Sequence, residues 1–209
     1  MELTTKVNER FINTEQTDVI YTDFSKAFNR ANHDILLHKL SCIGFSNNAV
    51  RWLKSYLSSR TQQKKFEIDV ASGVPQRSHL GPVLFTLFIN VLPSVIIHSN
   101  ILLYEYADDV KIFNSLDSIS GQSSLEKDID YFCQWCEVNL LELNFNKCKH
   151  MTFHRSFKLD TSYNFKDKIL KKVLNITDIG ILLDHKLRFS NHISMMVNKA
   201  SGVLGFIKH

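Results

Sequence analysis

The sequence predicts an α+β fold with helices packed on an antiparallel sheet, and three observations predict it. Ile101–Phe113 reads ILLYEYADDVKIF, two β-branched and aromatic runs flanking Ala107-Asp108-Asp109, the pattern of a hairpin with adjacent carboxylates at its tip. Residues 66–70 alternate Phe66, Ile68 and Val70 against Glu67 and Asp69, the period of a half-buried strand. Elsewhere apolar residues recur at helical spacing, and helices mixed with local hairpins point to an antiparallel sheet.

In chain order, residues 1–17 are polar and carry no firm element signal. Asp18–Thr22 is short and β-prone and delivers Asp23 at its end. Ser25-Lys26-Ala27-Phe28 follows, and a helix is expected from about Asn32 to Cys42, stopped by Gly44. Ser46 then caps a second helix with Val50, Leu53 and Leu57 on its inner face. Arg60, Lys64 and Lys65 precede the alternating strand. Ser72–Pro93 begins as a loop carrying Gly73, Pro75 and Gly81; Pro82 then fits the first turn of an apolar helix running through about Val91. After the hairpin, Ser123 or Ser124 opens a helix to about Asn139 with Ile129, Phe132 and Cys136 inward. Leu141–Phe153 reads as a turn and a short strand, Thr161–Leu183 as further strands, and a last helix starts near Asn191.

With 209 residues, 44% hydrophobic and 22% charged, the chain is long enough for one sizeable core. A net charge of +4 suits a polyanionic partner. Pro93 and Glu105 interrupt the best apolar run, so no membrane span is expected. MELTTKVNER has no signal-peptide core, so the expected location is intracellular, nucleus or cytoplasm, and not secreted. The four cysteines then read as reduced thiols.

Asp23 lies 85 positions before Asp108, and only a shared sheet would bring them together. Adjacent carboxylates repel, and a hard divalent cation such as Mg²⁺ relieves that repulsion through oxygen ligands. Taken alone, an Asp-Asp pair is also a common solvated turn. The strand-end Asp23, the Gly/Pro loop opening a buried helix, and the Asp108-Asp109 hairpin together suit phosphoryl transfer with two metal ions. Cys133-Gln134-Trp135-Cys136, followed by Cys148, His150 and His154, offers zinc-type ligands as a rival site. That cysteine pair lies on an amphipathic helix, where cysteine behaves as a small buried hydrophobe, and the second half lacks zinc-knuckle spacing.

Five segments resemble, in order, the successive palm motifs of a reverse transcriptase: YTDFSKAFNRANHDILLHKL, SGVPQRSHLGPVLF, YADD, LLELNFNKCKHMTF and ITDIGILLDHKLRFSNHI. They are most similar to the enzymes of non-LTR retrotransposons of the LINE or jockey type, over nearly all of residues 18–209. The resemblance implies a polymerase palm at 18–187, a remnant of the fingers at 1–17 and the start of a thumb at 188–209. It implies an RNA-directed DNA polymerase that uses two Mg²⁺ ions, or Mn²⁺, to join a dNTP to a primer 3′-OH. An RNA template, a DNA primer and dNTP are then the partners, with no membrane, alongside the missing fingers and thumb or the rest of a retrotransposon polyprotein.

By the same resemblance Asp23 and Asp108 are metal ligands, the Phe24 backbone carbonyl joins them, and Asp109 completes the catalytic set as the less critical neighbour. Phe28 looks like the aromatic gate that clashes with a ribose 2′-OH; a core aromatic is its other reading. Gln76, with Ser72–Pro75, resembles the loop that contacts nucleotide and template. Lys147 is similar to a lysine near the triphosphate. Leu182-Leu183-Asp184 and Phe189-Ser190-Asn191-His192 resemble the primer grip and the thumb entrance. Arg60, Lys64, Lys65, Lys171 and Lys172 suit duplex phosphates, or simply a solvated face. Two positions depart from the pattern: Arg77 stands where the family has glycine, and Asn29 where it has aspartate. Arg77 crowds the nucleotide side, so a catalytically inactive retrotransposon remnant that at most binds nucleic acid is the alternative.

Overall fold

The computed structural model describes residues 4–5, 7–9, 16–58, 72–75, 78–103, 109–116, 119–155 and 159–207. The expected strand at 66–70, Arg60, Lys64, Lys65, Gln76, Arg77 and Asp108 lie outside the described residues.

Strand β1 (Gln16–Asp23) is the centre of the molecule. It pairs antiparallel on one edge with β3 (Asp109–Leu116) and on the other with β4 (Lys149–Phe153). Outside β3 lies β2 (Asn100–Leu103), the first arm of the expected hairpin; outside β4 lies β7 (Lys171–Val173), which runs parallel to it. The sheet therefore has five strands in the order β2-β3-β1-β4-β7, antiparallel except at that last edge.

Side chains alternate across a strand, and both faces of β1 are covered. Ile20 faces the helices with Val110 and Ile112; Val19 and Tyr21 face the other way with Phe113, Met151 and Phe153. On the helical side lie α1 (Ala27–Arg30), α2 (His33–Cys42), α3 (Asn47–Ser58), α4 (Leu80–Ile89) and α5 (Ile119–Val138), whose Leu36, Leu40, Leu57, Phe85, Phe88 and Phe132 fill the main core. The opposite face is covered by the hairpin β8 (Asn175–Asp178) and β9 (Ile181–Asp184), through Ile176 and Leu183. A small hairpin, β5 (Asn164–Phe165) and β6 (Lys168–Ile169), adds Phe165 to the main core, and α6 (Ser190–Ile207) follows with no buried residue, its His192 accepting from the Leu182 N–H at 3.3 Å.

Several local signals act as expected. The Asn32 side chain caps α2 by accepting from the Ile35 N–H at 3.1 Å, and the helix ends just before Gly44. Ser46 accepts from the Ala49 N–H at 3.3 Å at the head of α3, which buries Leu53 and Leu57. Helix α5 differs from expectation, starting at Ile119 and not at Ser123 or Ser124. Ser124 does not cap, because its hydroxyl donates back to the Ser120 carbonyl at 3.0 Å inside the helix. Gly121 permits the earlier turn, since a Cβ there would meet the Ser115 carbonyl and the Leu116 side chain at 3.0 Å. Lys39 ties three helices: its ammonium donates to the Phe88 carbonyl at 2.7 Å and to Asn139, and stands 4.9 Å from the Trp135 ring. Burial pulls Lys39 down to about 8.

The far end of β1 carries a buried polar knot. Asp18, fully buried, accepts from the Tyr163 hydroxyl at 2.8 Å, from Gln16 at 3.1 Å and from Thr161, and pairs with His150 at 3.2 Å. Burial alone would push its carboxyl up, but the bond and charge of His150, with Thr161 and Tyr163, hold it below the ordinary value of 3.8. A depressed carboxyl contributes its stability above the unfolded value, and that contribution is lost as pH falls through the folded one. Asp18→Asn is expected to cost about 3 kcal/mol at pH 7, since it strips a charge from a buried pair. Urea melts at pH 7 and below pH 3 check this, with the gap between variant and parent closing in acid.

Candidate active site

Asp23 ends β1 on the face opposite the main helices, and the register sets Asp109 directly across from it. The Asp23 carbonyl accepts from the Asn144 N–H at 2.8 Å, on the edge away from β3. Its pair with Asp109 is therefore of the non-hydrogen-bonded kind, in which opposed side chains stand closest, with Cβ atoms about 4.5–5.5 Å apart.

Three lysines and a third acid surround the pair. Lys147 reaches Asp23 with its ammonium 3.2 Å from Oδ2. It sits on a tight turn in which the Lys147 and Cys148 N–H groups donate to the Asn144 carbonyl at 2.9 and 3.1 Å. Lys111, two residues past Asp109 and so on the same face, is 3% exposed and ion-paired with Asp178 of the β8–β9 hairpin. Tyr21, Asp23, Asp109, Lys111, Lys147, Lys149 and Asp178 are among the residues that line one cleft of about 310 Å³. Burial raises the Asp109 carboxyl above its ordinary range; Lys111 counters this, while Asp178 and Asp23 add to it.

The backbone beyond Asp23 is positioned from two sides. Phe24 bridges Leu143, with Ser25 N–H donating to the Glu142 carbonyl at 2.7 Å. In such a bridge the flanking residues make the bonds, so the Phe24 carbonyl itself turns toward the β3 side. The Phe24 ring is buried against Phe85 and Phe132. Phe28 is half-buried with its ring 5.1 Å from that of Phe85. Loop 72–75 lies against it: Val74 N–H donates to the Phe28 carbonyl at 2.7 Å and Gly73 N–H to the Ala31 carbonyl at 2.8 Å. Gly73 has φ +96°, and a Cβ there would stand 3.1–3.2 Å from the Asn29 and Phe28 backbone, so only glycine permits this approach.

Sequence reasoning missed three contributors. Buried His33 bonds the Gly73 carbonyl through Nε2 at 2.8 Å. Lys111 was detectable, being one strand period from Asp109, but its partner Asp178 comes from a distant hairpin. Asp184, expected in a primer grip, spends its carboxylate on the N–H groups of Lys186, Arg188 and Phe189 and so organises the turn before α6. Lys172 pairs with Asp160 at 2.7 Å, while Lys171 is exposed. Cys133, Cys136 and Cys148 are buried thiols that burial pushes up, Cys133 to about 12 and Cys148 to about 11. Among the described residues no group of three or more His, Cys, Asp or Glu side chains is placed to hold a metal ion.

The donors on this face are hard oxygens, the opposed Asp23 and Asp109 carboxylates. That set fits Mg²⁺ or Mn²⁺. It also has a resident competitor in the Lys147 ammonium.

A sequence profile described as reverse transcriptase (RNA-dependent DNA polymerase) matches residues 2–195. The chain is 30% identical over 198 residues to an RNA-directed DNA polymerase from mobile element jockey of Drosophila melanogaster, covering 89% of this chain and 22% of that protein. It is 28% identical over 209 residues to a probable RNA-directed DNA polymerase from transposon BS of the same fly, covering 91% and 22%. The chain thus spans about a fifth of the length of the curated relatives it matches. Among solved structures, apo telomerase from Candida Tropicalis truncated from its C-terminal domain shares the fold, with a TM-score of 0.60 at 13% identity over 90% of this chain and 39% of that one.

A Mn²⁺ titration followed by thermal melting tests the carboxylate pair. The parent chain is expected to melt higher as Mn²⁺ rises, and Asp23→Asn to lose most of that shift. Lys147→Met is expected to bind Mn²⁺ up to about fivefold more tightly, because an exposed ion pair worth about 0.2–1 kcal/mol no longer competes.

Proposed function

The chain belongs to the reverse transcriptase (RNA-dependent DNA polymerase) family, with a polymerase palm fold, and on that premise we propose that its carboxylate cleft extends a DNA primer on an RNA template. The observation that carries the reading is the opposition of Asp23 and Asp109 at the mouth of a lysine-lined cleft. We assign the chain from the start of β1 through residue 187 to the palm, 188–209 to the start of the thumb and the residues before β1 to a remnant of the fingers. The palm boundary expected at residue 18 moves back to Gln16 because β1 begins there.

In this reading Asp23, the Phe24 carbonyl and Asp108 hold two Mg²⁺ ions, for which Mn²⁺ substitutes, with Asp109 beside them. Bound there, the ions supply Lewis-acid activation of the primer hydroxyl and charge neutralisation at the pyrophosphate. The primer 3′-oxygen forms a bond to the α-phosphorus, the bond from that phosphorus to the pyrophosphate oxygen breaks, and the hydroxyl proton departs to solvent. Lys147 leaves Asp23 for the triphosphate and gives a proton to the departing pyrophosphate. Phe28 presents its ring edge where a ribose 2′-OH would stand and so selects deoxynucleotides. Gln76 and loop 72–75 hold the nucleotide against the template. The Lys111–Asp178 pair keeps the β8–β9 hairpin seated beside the reacting groups without touching them. Among the described residues no helix is long and apolar enough to cross a membrane.

The test is primer extension on an RNA template, with this segment grafted in place of the matching segment of a jockey-type polymerase. Asp23→Asn in that chimera is expected to lower extension on the order of a thousandfold, the loss of several kcal/mol of charge stabilisation. Phe28→Val is expected to admit ribonucleotides; unchanged selectivity would make Phe28 a core residue only. A chimera no more active than its Asp23→Asn form, yet still able to bind template–primer, would favour the non-catalytic remnant instead.

A further inference from the structure

Helix α3 carries a feature that the carboxylate cleft does not use. Leu53 and Leu57 anchor its inner face in the main core, on the helical side of the sheet, whereas Asp23 and Asp109 face the other side. On the outer face Trp52 is 58% exposed, unusual for a residue that is mostly buried on average. Tyr56, one turn later, is half-buried, and the two rings stack with centroids 5.7 Å apart and planes 12° apart. One indole face is thus fixed against Tyr56, and the exposed area is the remaining face and edge.

The charge along helix α3 is one-sided. Helix α3 contains Arg51 and Lys54 and no acidic residue. Over residues 35–66 the sequence holds no Asp or Glu at all, and of its described cations Lys39 is engaged by the Phe88 carbonyl and Asn139, which leaves Arg51 and Lys54 beside the rings. Arg51 donates to the neutral Asn48 side chain at 3.1 Å, which orients the guanidinium without cancelling its charge. The exposed α3 residues flanking Trp52 are polar, whereas the centre of a protein interface is depleted of charge. A base with its phosphates satisfies both the open ring and the cations.

We propose that Trp52 and Tyr56 form a stacking platform for single-stranded nucleic acid, separate from the carboxylate cleft, with Arg51 and Lys54 taking the adjacent phosphates. Every base has a π-face, so the platform tolerates any sequence, and its prestacked rings lose little freedom on binding.

Fluorescence anisotropy of the full chain with a fluorescein-labelled single-stranded oligonucleotide tests this. Trp52→Ala is expected to weaken binding about tenfold at fixed salt, and Trp52→Phe to retain most of the affinity because a ring remains. Lys54→Gln is expected to flatten the salt dependence by close to one phosphate contact. The proposal is overturned if Trp52→Ala binds as tightly as the parent, or if an abasic strand binds as tightly as an intact one. It is equally overturned if Trp52→Ala lowers the oligomeric state while leaving oligonucleotide affinity unchanged, which would assign this face to a second copy of the chain. The Mn²⁺-dependent melting shift, read in the same variants, reports on the carboxylate pair alone, so the two readings fail separately.

Discussion

The register between β1 and β3 is the constraint on which the site depends. A slip of one residue would turn every side chain of β1 to the opposite face, sending Asp23 toward the helices and Ile20 toward the cleft. Such a slip is blocked because both faces of the strand are buried, Ile20 among the helices and Val19 and Tyr21 beneath the β8–β9 hairpin. Both edges are bonded as well, to β3 and to β4. The strand needs this support. Two carboxylates directly opposed across a sheet repel, and the pairing persists because the rest of β1 is over-determined and lysines stand beside the acids.

The counter-charges follow from the same geometry, and they couple the cleft to elements remote in sequence. Lys147 comes from the turn after Leu143, which is stitched to β1 through Phe24 and Asn144. Lys111 comes from β3 itself, and its buried ammonium is retained by Asp178 of a hairpin that is otherwise seated by Ile176 and Leu183. Burial pulls the Lys111 ammonium below its usual value, and Asp178 pulls it back. Seating the hairpin and balancing the cleft's charge are therefore one event. A loosened hairpin would leave a lysine buried beside Asp109 without its principal partner, and breaking such a pair costs more than forming it gains.

What could be read from the residues was whatever local chemistry determines. Asn32 before an apolar helical run, Gly44 after it and Ser46 at the next start each act through bonds within a few positions, and each element stands where expected. The strand-end position of Asp23 and the two strands around the Asp108-Asp109 pair were equally legible, since alternation and β-branched runs are local. The start of α5 was not, because Ser124 has capping chemistry but uses its hydroxyl inside the helix, and Gly121 owes its place to β3. Asp178, His33 and the parallel β7 edge were invisible for the same reason: their partners are tens of residues away. Asp184 lies in the stretch that resembles a primer grip, and its carboxylate organises the turn that leads into α6.

The wall around Phe28 bears on how a steric gate would work. Discrimination by clash needs a ring that does not yield, and the Phe28 ring rests against Phe85, itself fully buried. Its backbone is held by Val74, and the loop that supplies Val74 is held in turn by Ala31 and His33 through Gly73. Gly73 cannot be replaced without moving the backbone of Phe28 and Asn29, so the loop and the ring shift together. Under the polymerase reading, selectivity between sugars is then a property of this packed unit and not of one side chain. A change at Phe85, which need not touch the nucleotide, would alter it by letting the ring give way.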